Sequence, residues 1–185
     1  MLNVETAEIP DIKIITVGKI EDRRGFLSEV YARREFADSG LDLDFVQDNH
    51  CFSAKPGTLR GLHFQVPPFA QVKLVRVARG RILDVAVDLR RASPTYGWHS
   101  AIELSADNWK QVLVPIGFAH GCLTLEPDTE VLYKVTNHYA PAHQRGLAWN
   151  DPALAIDWRI DAERVVLSDR DRKHPQLADL PGYFD

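Results

Sequence analysis

Five polar side chains stand inside one apolar, strand-like stretch of the chain. The run from Gly57 to Asp84 holds His63, Gln65, Gln71, Lys73 and Asp84, broken by Pro67-Pro68 and by the turn glycine Gly80. Residues two apart on a strand share a face, so His63 and Gln65 belong to one wall. A polar stripe on an otherwise apolar sheet describes a lined pocket, with a solvated sheet face as the alternative. An imidazole moves protons near neutral pH but needs a carboxylate to orient it. Two aspartates are candidates: Asp84, on a strand face with Ile82, Ala86 and Asp88, and Asp171, from the C-terminal tail. Lys73 is suited to meet an enolate oxygen as it gains negative charge. Tyr133, between Val131 and Val135, is an inward phenol able to return a proton from the opposite face. Base, cation and phenol together suit deprotonation beside a carbonyl. Tyr133 taken alone reads as a core tyrosine with a satisfied hydroxyl.

Anion recognition is suggested by Arg24 beside Gly25, by Arg60 beside Gly61, and by Lys73. Arginine grips phosphate oxygens in pairs. Strict alternation puts Arg60 on the face opposite His63. It reaches the same pocket only through a bulge at Gly61 or through a neighbouring chain. Phe26, Phe64 and Tyr139 are candidates to cover a nucleobase, with core packing as the default for each phenylalanine. His120 follows the turn Pro115-x-Gly117 and begins a strand. A metal shared by His63 and His120 lacks further ligands: position 65 is Gln, and no Asp or Glu lies between Gln65 and Gly80. Lys73 would also repel a divalent cation. The reading is no metal.

The bulk numbers narrow the class. The chain has 185 residues, the size of one domain, and 45% are hydrophobic, enough for a sizeable core. With 22 Lys and Arg against 26 Asp and Glu, the net charge is -4, which argues against a nucleic-acid partner. Cys51 and Cys122 sit in apolar strand-like contexts and read as small buried residues of a reducing compartment. No apolar run approaches the roughly 18 residues of a membrane span. Met1 to Glu8 lacks the pattern of a signal peptide. The expectation is a cytoplasmic protein with no membrane partner.

Strands are expected within residues 9–20, 26–31, 45–52, 72–77, 82–89, 99–104, 110–114, 119–125 and 130–137. A short helix is expected over 33–39, closed by Gly40, and a second at Asp151-Pro152. Short strands with hardly any helix indicate an all-β sandwich or barrel of antiparallel strands. Helices are too few for a parallel sheet with crossovers.

Several blocks then act together: Val46-Gln-Asp-Asn-His50, Leu59-Arg-Gly-Leu-His-Phe-Gln65, Asp84-Val-Ala-Val-Asp-Leu-Arg90, Ser93-Pro-Thr-Tyr-Gly97, Pro115-Ile-Gly-Phe-Ala-His-Gly121 and Tyr133-Lys-Val-Thr-Asn137. With them, nearly the whole chain resembles the dTDP-4-dehydrorhamnose 3,5-epimerases, cupin-like enzymes of deoxysugar biosynthesis. The resemblance implies a cupin-like jelly-roll barrel spanning residues 1–185, with 151–185 as an extension packed on it. It implies that His63 is the base, Tyr133 the acid, Asp171 the partner of the base, and Lys73 the group near the keto oxygen. Arg24, Phe26, Glu29, Gln47, Asn49, Arg60, His120, Tyr139, Gln144 and Arg170 would hold the nucleotide-sugar. The substrate would be dTDP-4-dehydro-6-deoxy-D-glucose, inverted at C3 and C5 without metal or redox cofactor, in a homodimer with exchanged N-terminal strands. The chain departs from the family's habits at Gln144, where an acid is usual, at His138, at Arg170 in place of lysine, and at Cys51 in place of serine. Single-carbon epimerisation and a catalytically silent cupin that binds a sugar nucleotide or a metal are the alternatives.

Overall fold

Valine-rich runs with period-two alternation pair most readily as antiparallel ladders. The computed structural model describes residues 2–185. The first part of the chain forms β1 (Leu2–Thr6), β2 (Lys13–Val17), β3 (Ile20–Asp22), β4 (Gly25–Leu27), helix α1 (Arg33–Asp38), β5 (Gln47–Ser53) and β6 (Leu59–Gln65). There follow β7 (Lys73–Arg79), β8 (Arg81–Asp88), β9 (His99–Ser105), β10 (Lys110–Val114), β11 (Phe118–Thr124), β12 (Thr129–Val135) and β13 (Gln144–Gly146). A six-stranded sheet in the order β1-β2-β10-β7-β12-β5 faces a five-stranded sheet in the order β13-β6-β11-β8-β9. Every ladder between these strands is antiparallel. The architecture is the expected cupin-like antiparallel barrel.

Three apolar layers hold it. Val75, Val77, Ile82, Ala86, Val112 and Val131 pack between the sheets. Ile15, Phe36, Leu74 and Leu113 form a layer between the outer face of the six-stranded sheet and α1. Leu83, Val85 and Val87 of β8 face outward from the five-stranded sheet, where Leu154, Trp158, Val165, Leu180 and Phe184 of the tail cover them. The two covered faces explain why β8 reads as nearly continuous apolar sequence. Gly40 closes α1 as expected. At φ +82° it turns the chain so that Leu41 N–H donates to Phe36 O at 2.9 Å.

Three expectations need correction. The strand expected over 26–31 ends at Leu27: Phe26 is 56% and Leu27 69% exposed, whereas Val30 and Tyr31 turn back to pack beside α1. In the run 9–20, Ile9 and Ile12 are buried from a turn rather than a strand, and β1 lies further upstream. No helix starts at Asp151-Pro152. The Asp151 carboxylate instead accepts from Ala153 N–H at 2.9 Å and from Leu177 N–H at 2.7 Å, which ties the tail to itself in turns.

The strand β6 carries the feature on which the site depends. His63 pairs with His120 but Arg60 pairs with Cys122, so three steps on β6 match two on β11. Gly61 is the extra residue, and it resets the alternation: Leu59 and Leu62 point to the outer layer, while Arg60 and His63 both face the cavity between the sheets. Gly61 has φ +139°, and a Cβ there would lie 2.6 Å from Gly121 Cα. Gly61→Ala is expected to destabilise the fold by about 1–3 kcal/mol. Urea denaturation measures this, and a midpoint equal to the parent's would show that the bulge tolerates a side chain.

Candidate active site

The cavity between the sheets holds about 330 Å³. His63, Arg60 and His120 line it from the five-stranded sheet, and Lys73, Tyr133, Cys51 and Ser53 from the six-stranded sheet. The tail adds Ser168, Arg170 and Asp171. His63 and Tyr133 therefore stand on opposite walls.

His63 Nε2 lies 2.6 Å from Asp171 Oδ1. The aspartate sits in a 3₁₀ turn, Asp171–Lys173, with its N–H donating to Ser168 Oγ at 3.1 Å. Burial works to raise the Asp171 carboxyl, but His174, His63 and the Gly61 N–H outweigh it and hold the group well below the usual carboxylate range. An ionised carboxylate only accepts hydrogen bonds, so the proton of a neutral His63 is on Nε2 and Nδ1 carries the lone pair. Burial holds His63 below the ordinary imidazole value, against the opposing pull of Asp171. The ring is thus a neutral base at physiological pH.

Of the two candidate carboxylates, Asp171 serves His63 and Asp84 serves His120. His120 Nε2 is 2.9 Å from Asp84 Oδ2, and Asp84 is fully buried. Lys73 Nζ donates to His63 O at 3.2 Å. Burial brings its ammonium down to about 8, only partly offset by Asp84. Burial likewise pushes the Tyr133 phenol up to about 12, so it keeps its proton throughout the neutral range. Arg60 donates to Ser53 Oγ at 3.3 Å and to Phe52 O at 3.1 Å, which spans the two sheets.

Other residues singled out from the sequence stand elsewhere. Gln65 is buried and ties loops together, donating to Phe69 O and His138 O and accepting from Ala140 N–H. Gln71 donates to Asn137 O. Neither lines the cavity. Gln47 and Asn49 bond each other at 2.8 Å, on the β5 face that Cys51 and Ser53 carry into the cavity. Gln144 lines the cavity and accepts from the half-exposed Tyr139 hydroxyl at 2.7 Å. Arg24, Phe26 and Glu29 are exposed and outside this chain's own cavity. Arg24 pairs with Asp22, and Phe26 meets Trp109 edge-on at 4.9 Å. Cys51 and Cys122 are free thiols, and both line the cavity. Sequence reasoning missed Ser53, Thr124, Ser168 and His174; an Asp-x-x-His spacing in the charged tail was the only signal for the last.

A family model described as dTDP-4-dehydrorhamnose 3,5-epimerase matches residues 6–179. The chain belongs to that family. A dTDP-4-dehydrorhamnose 3,5-epimerase of Sinorhizobium fredii is 48% identical over 180 residues, 97% of this chain and 92% of the relative. The crystal structure of a Bacillus anthracis dTDP-4-dehydrorhamnose 3,5-epimerase, with TDP and PPi bound, is similar at TM-score 0.92 and 45% identity, covering 95% of this chain and 99% of that one. A Legionella pneumophila dTDP-6-deoxy-D-glucose-3,5-epimerase in complex with dTDP-4-keto-L-rhamnose is similar at TM-score 0.93 and 38% identity, covering 98% of this chain and 95% of that one. The chain is thus an isomerase of the epimerase family.

Lys73, the cation on the six-stranded wall, titrates close to the neutral range. Turnover is expected to fall as pH rises through about 8, where Lys73 loses its proton. Folding responds oppositely. The unfolded chain keeps this proton up to the ordinary 10.5, so between about 8 and 10.5 it binds more protons than the folded state, and this group's contribution to stability rises with pH. Lys73→Arg, charged throughout, is expected to move the alkaline limb of the pH–rate profile upward. A limb in the same place for both proteins would remove Lys73 as its source.

Proposed function

We propose that the enzyme inverts C3 and C5 of dTDP-4-dehydro-6-deoxy-D-glucose by removing a proton from one face of the ring and returning one from the other. Both carbons flank the C4 ketone, which makes their C–H bonds acidic. His63 Nδ1 takes the proton, and the electron pair moves onto the C4 oxygen. Lys73, already held in place on His63 O, stabilises that enolate. The Tyr133 hydroxyl then protonates the same carbon from the opposite side. The reading is supported above all by the placement of His63, backed by a buried carboxylate, and Tyr133 on facing walls of one cavity. Arg60 and Arg170 are suited to the diphosphate, and His120, held by Asp84, to a sugar hydroxyl.

Incubation of the ketosugar with the enzyme in heavy water should give product with deuterium at both C3 and C5 and inverted configuration at each, read by NMR. Label and inversion confined to one carbon would contradict the double epimerisation.

The same reading extends to a homodimer. β5 ends the six-stranded sheet with an unpaired edge, and Val46, Phe52, Phe26 and Leu27 expose apolar surface. A second copy that brings its β3–β4 hairpin to this edge would deliver Arg24, Phe26 and Glu29 to the mouth beside Gln47 and Asn49. Arg24→Ala and His63→Ala chains, each inactive or weakened alone, should complement on mixing and refolding, since one site in each mixed dimer is intact. A statistical mixture then recovers about a quarter of parental activity. No recovery would place Arg24 outside the partner's site.

A further inference from the structure

His174 stands against the same carboxylate as the base. Its Nε2 lies 3.3 Å from Asp171 Oδ1, the oxygen that His63 Nε2 meets at 2.6 Å. The two imidazoles are nearly perpendicular, at 87° with centroids 5.4 Å apart. The His174 side chain is only 10% exposed. Its contact to Oδ1 is too oblique for an aligned hydrogen bond, and Nε2 has no other partner. A buried ring nitrogen without an aligned partner costs free energy, so its position calls for a reason.

The position is also built. The His174 ring lies against Gly146 of β13, where any Cβ would overlap it. The next residue is fixed by Ala148 N–H donating to Pro175 O at 2.8 Å. Behind the ring, a cleft is lined by Arg145, Arg170 and Lys173. On the other side, His63 meets Asp171, Lys73 and His174 itself, with His120 beside it on β11 and Arg60, Tyr133 and Arg170 around the same cavity.

We propose that His174 is a positioning residue for the reaction: it divides the charge of Asp171 Oδ1 between two rings, so that the carboxylate holds the proton of His63 less tightly. The inference rests on His63 being the base. With His174 present, His63 gives up its proton at lower pH and the neutral base is available over a wider range. The electrostatic influence of His174 on His63 runs in that direction.

The test is the pH profile of kcat/KM. His174→Phe fills the seat without a polar nitrogen and leaves His63 as the one imidazole on Asp171. Its acid limb is expected about half to one pH unit higher than the parent's. His174→Gln places an amide N–H where Nε2 stands and is expected to restore most of the shift. An acid limb that stays in place in His174→Phe overturns the proposal, whatever happens to kcat. So does a Gln profile identical to that of Phe. If the Phe variant does not fold, His174→Ala is read in the same way. His63→Asn is assayed alongside for solvent exchange. Exchange retained there defeats the base assignment, whereas exchange lost there with an unmoved limb in His174→Phe defeats only the role of His174. His63, Asp171 and His174 also lie within metal-ligand reach of one another. Parental activity that falls with a chelator and returns with a zinc salt would make the trio a metal site and overturn the proposal.

Discussion

The contact between His63 and Asp171 joins a barrel strand to the C-terminal tail, 108 residues away in sequence. It sets the proton position on the imidazole, and much of the molecule serves it. The tail reaches Asp171 because Leu154, Trp158 and Val165 cover the outer face of the five-stranded sheet. The aspartate stays ionised because two imidazoles and the Gly61 N–H outweigh the cost of its burial. The same Gly61 forms the bulge that turns Arg60 into the cavity. One backbone irregularity thus supplies a donor to the carboxylate and a guanidinium to the pocket.

The cavity's electrostatics differ from those of the whole chain. The protein carries a net charge of -4, yet Arg60, Lys73 and Arg170 open onto the cavity while Asp84 and Asp171 are each committed to a histidine. The acids hold the imidazoles in place, and the cations remain available to an anionic ligand and a developing enolate. Burial acts on both walls: it lowers His63, which favours the neutral imidazole, and raises Tyr133, which keeps the phenol protonated, as the proposed proton transfer needs.

Much of this was readable from the chain because it is local. Period-two alternation placed β7, β8, β10 and β12, and it placed Lys73 and Tyr133 on inward faces. What alternation could not settle was set by departures from it or by distant segments. Arg60 depended on an extra residue in β6, for which a glycine was the only sign. Gln65 shares the strand face of His63 but lies beyond the cavity's end, where loop backbone takes both ends of its amide. Residue pattern alone left Asp84 and Asp171 as candidates; the resemblance pointed to Asp171, and only the tail's path shows how it reaches His63. The 26–31 run was misread because its apolar residues divide: Val30 and Tyr31 pack beside α1, while Phe26 and Leu27 stay exposed. His174 was illegible because its meaning comes from Gly146 and from the far side of Asp171.

The central claim is that one imidazole removes the proton and one phenol returns it, from opposite sides of a single ring. Position-resolved solvent exchange in the His63→Asn and Tyr133→Phe variants tests it most directly. The account predicts that the first loses exchange at both carbons by about 100-fold or more, while the second still exchanges but fails to invert. Exchange at the parental rate without His63, or full inversion without the Tyr133 hydroxyl, would contradict it.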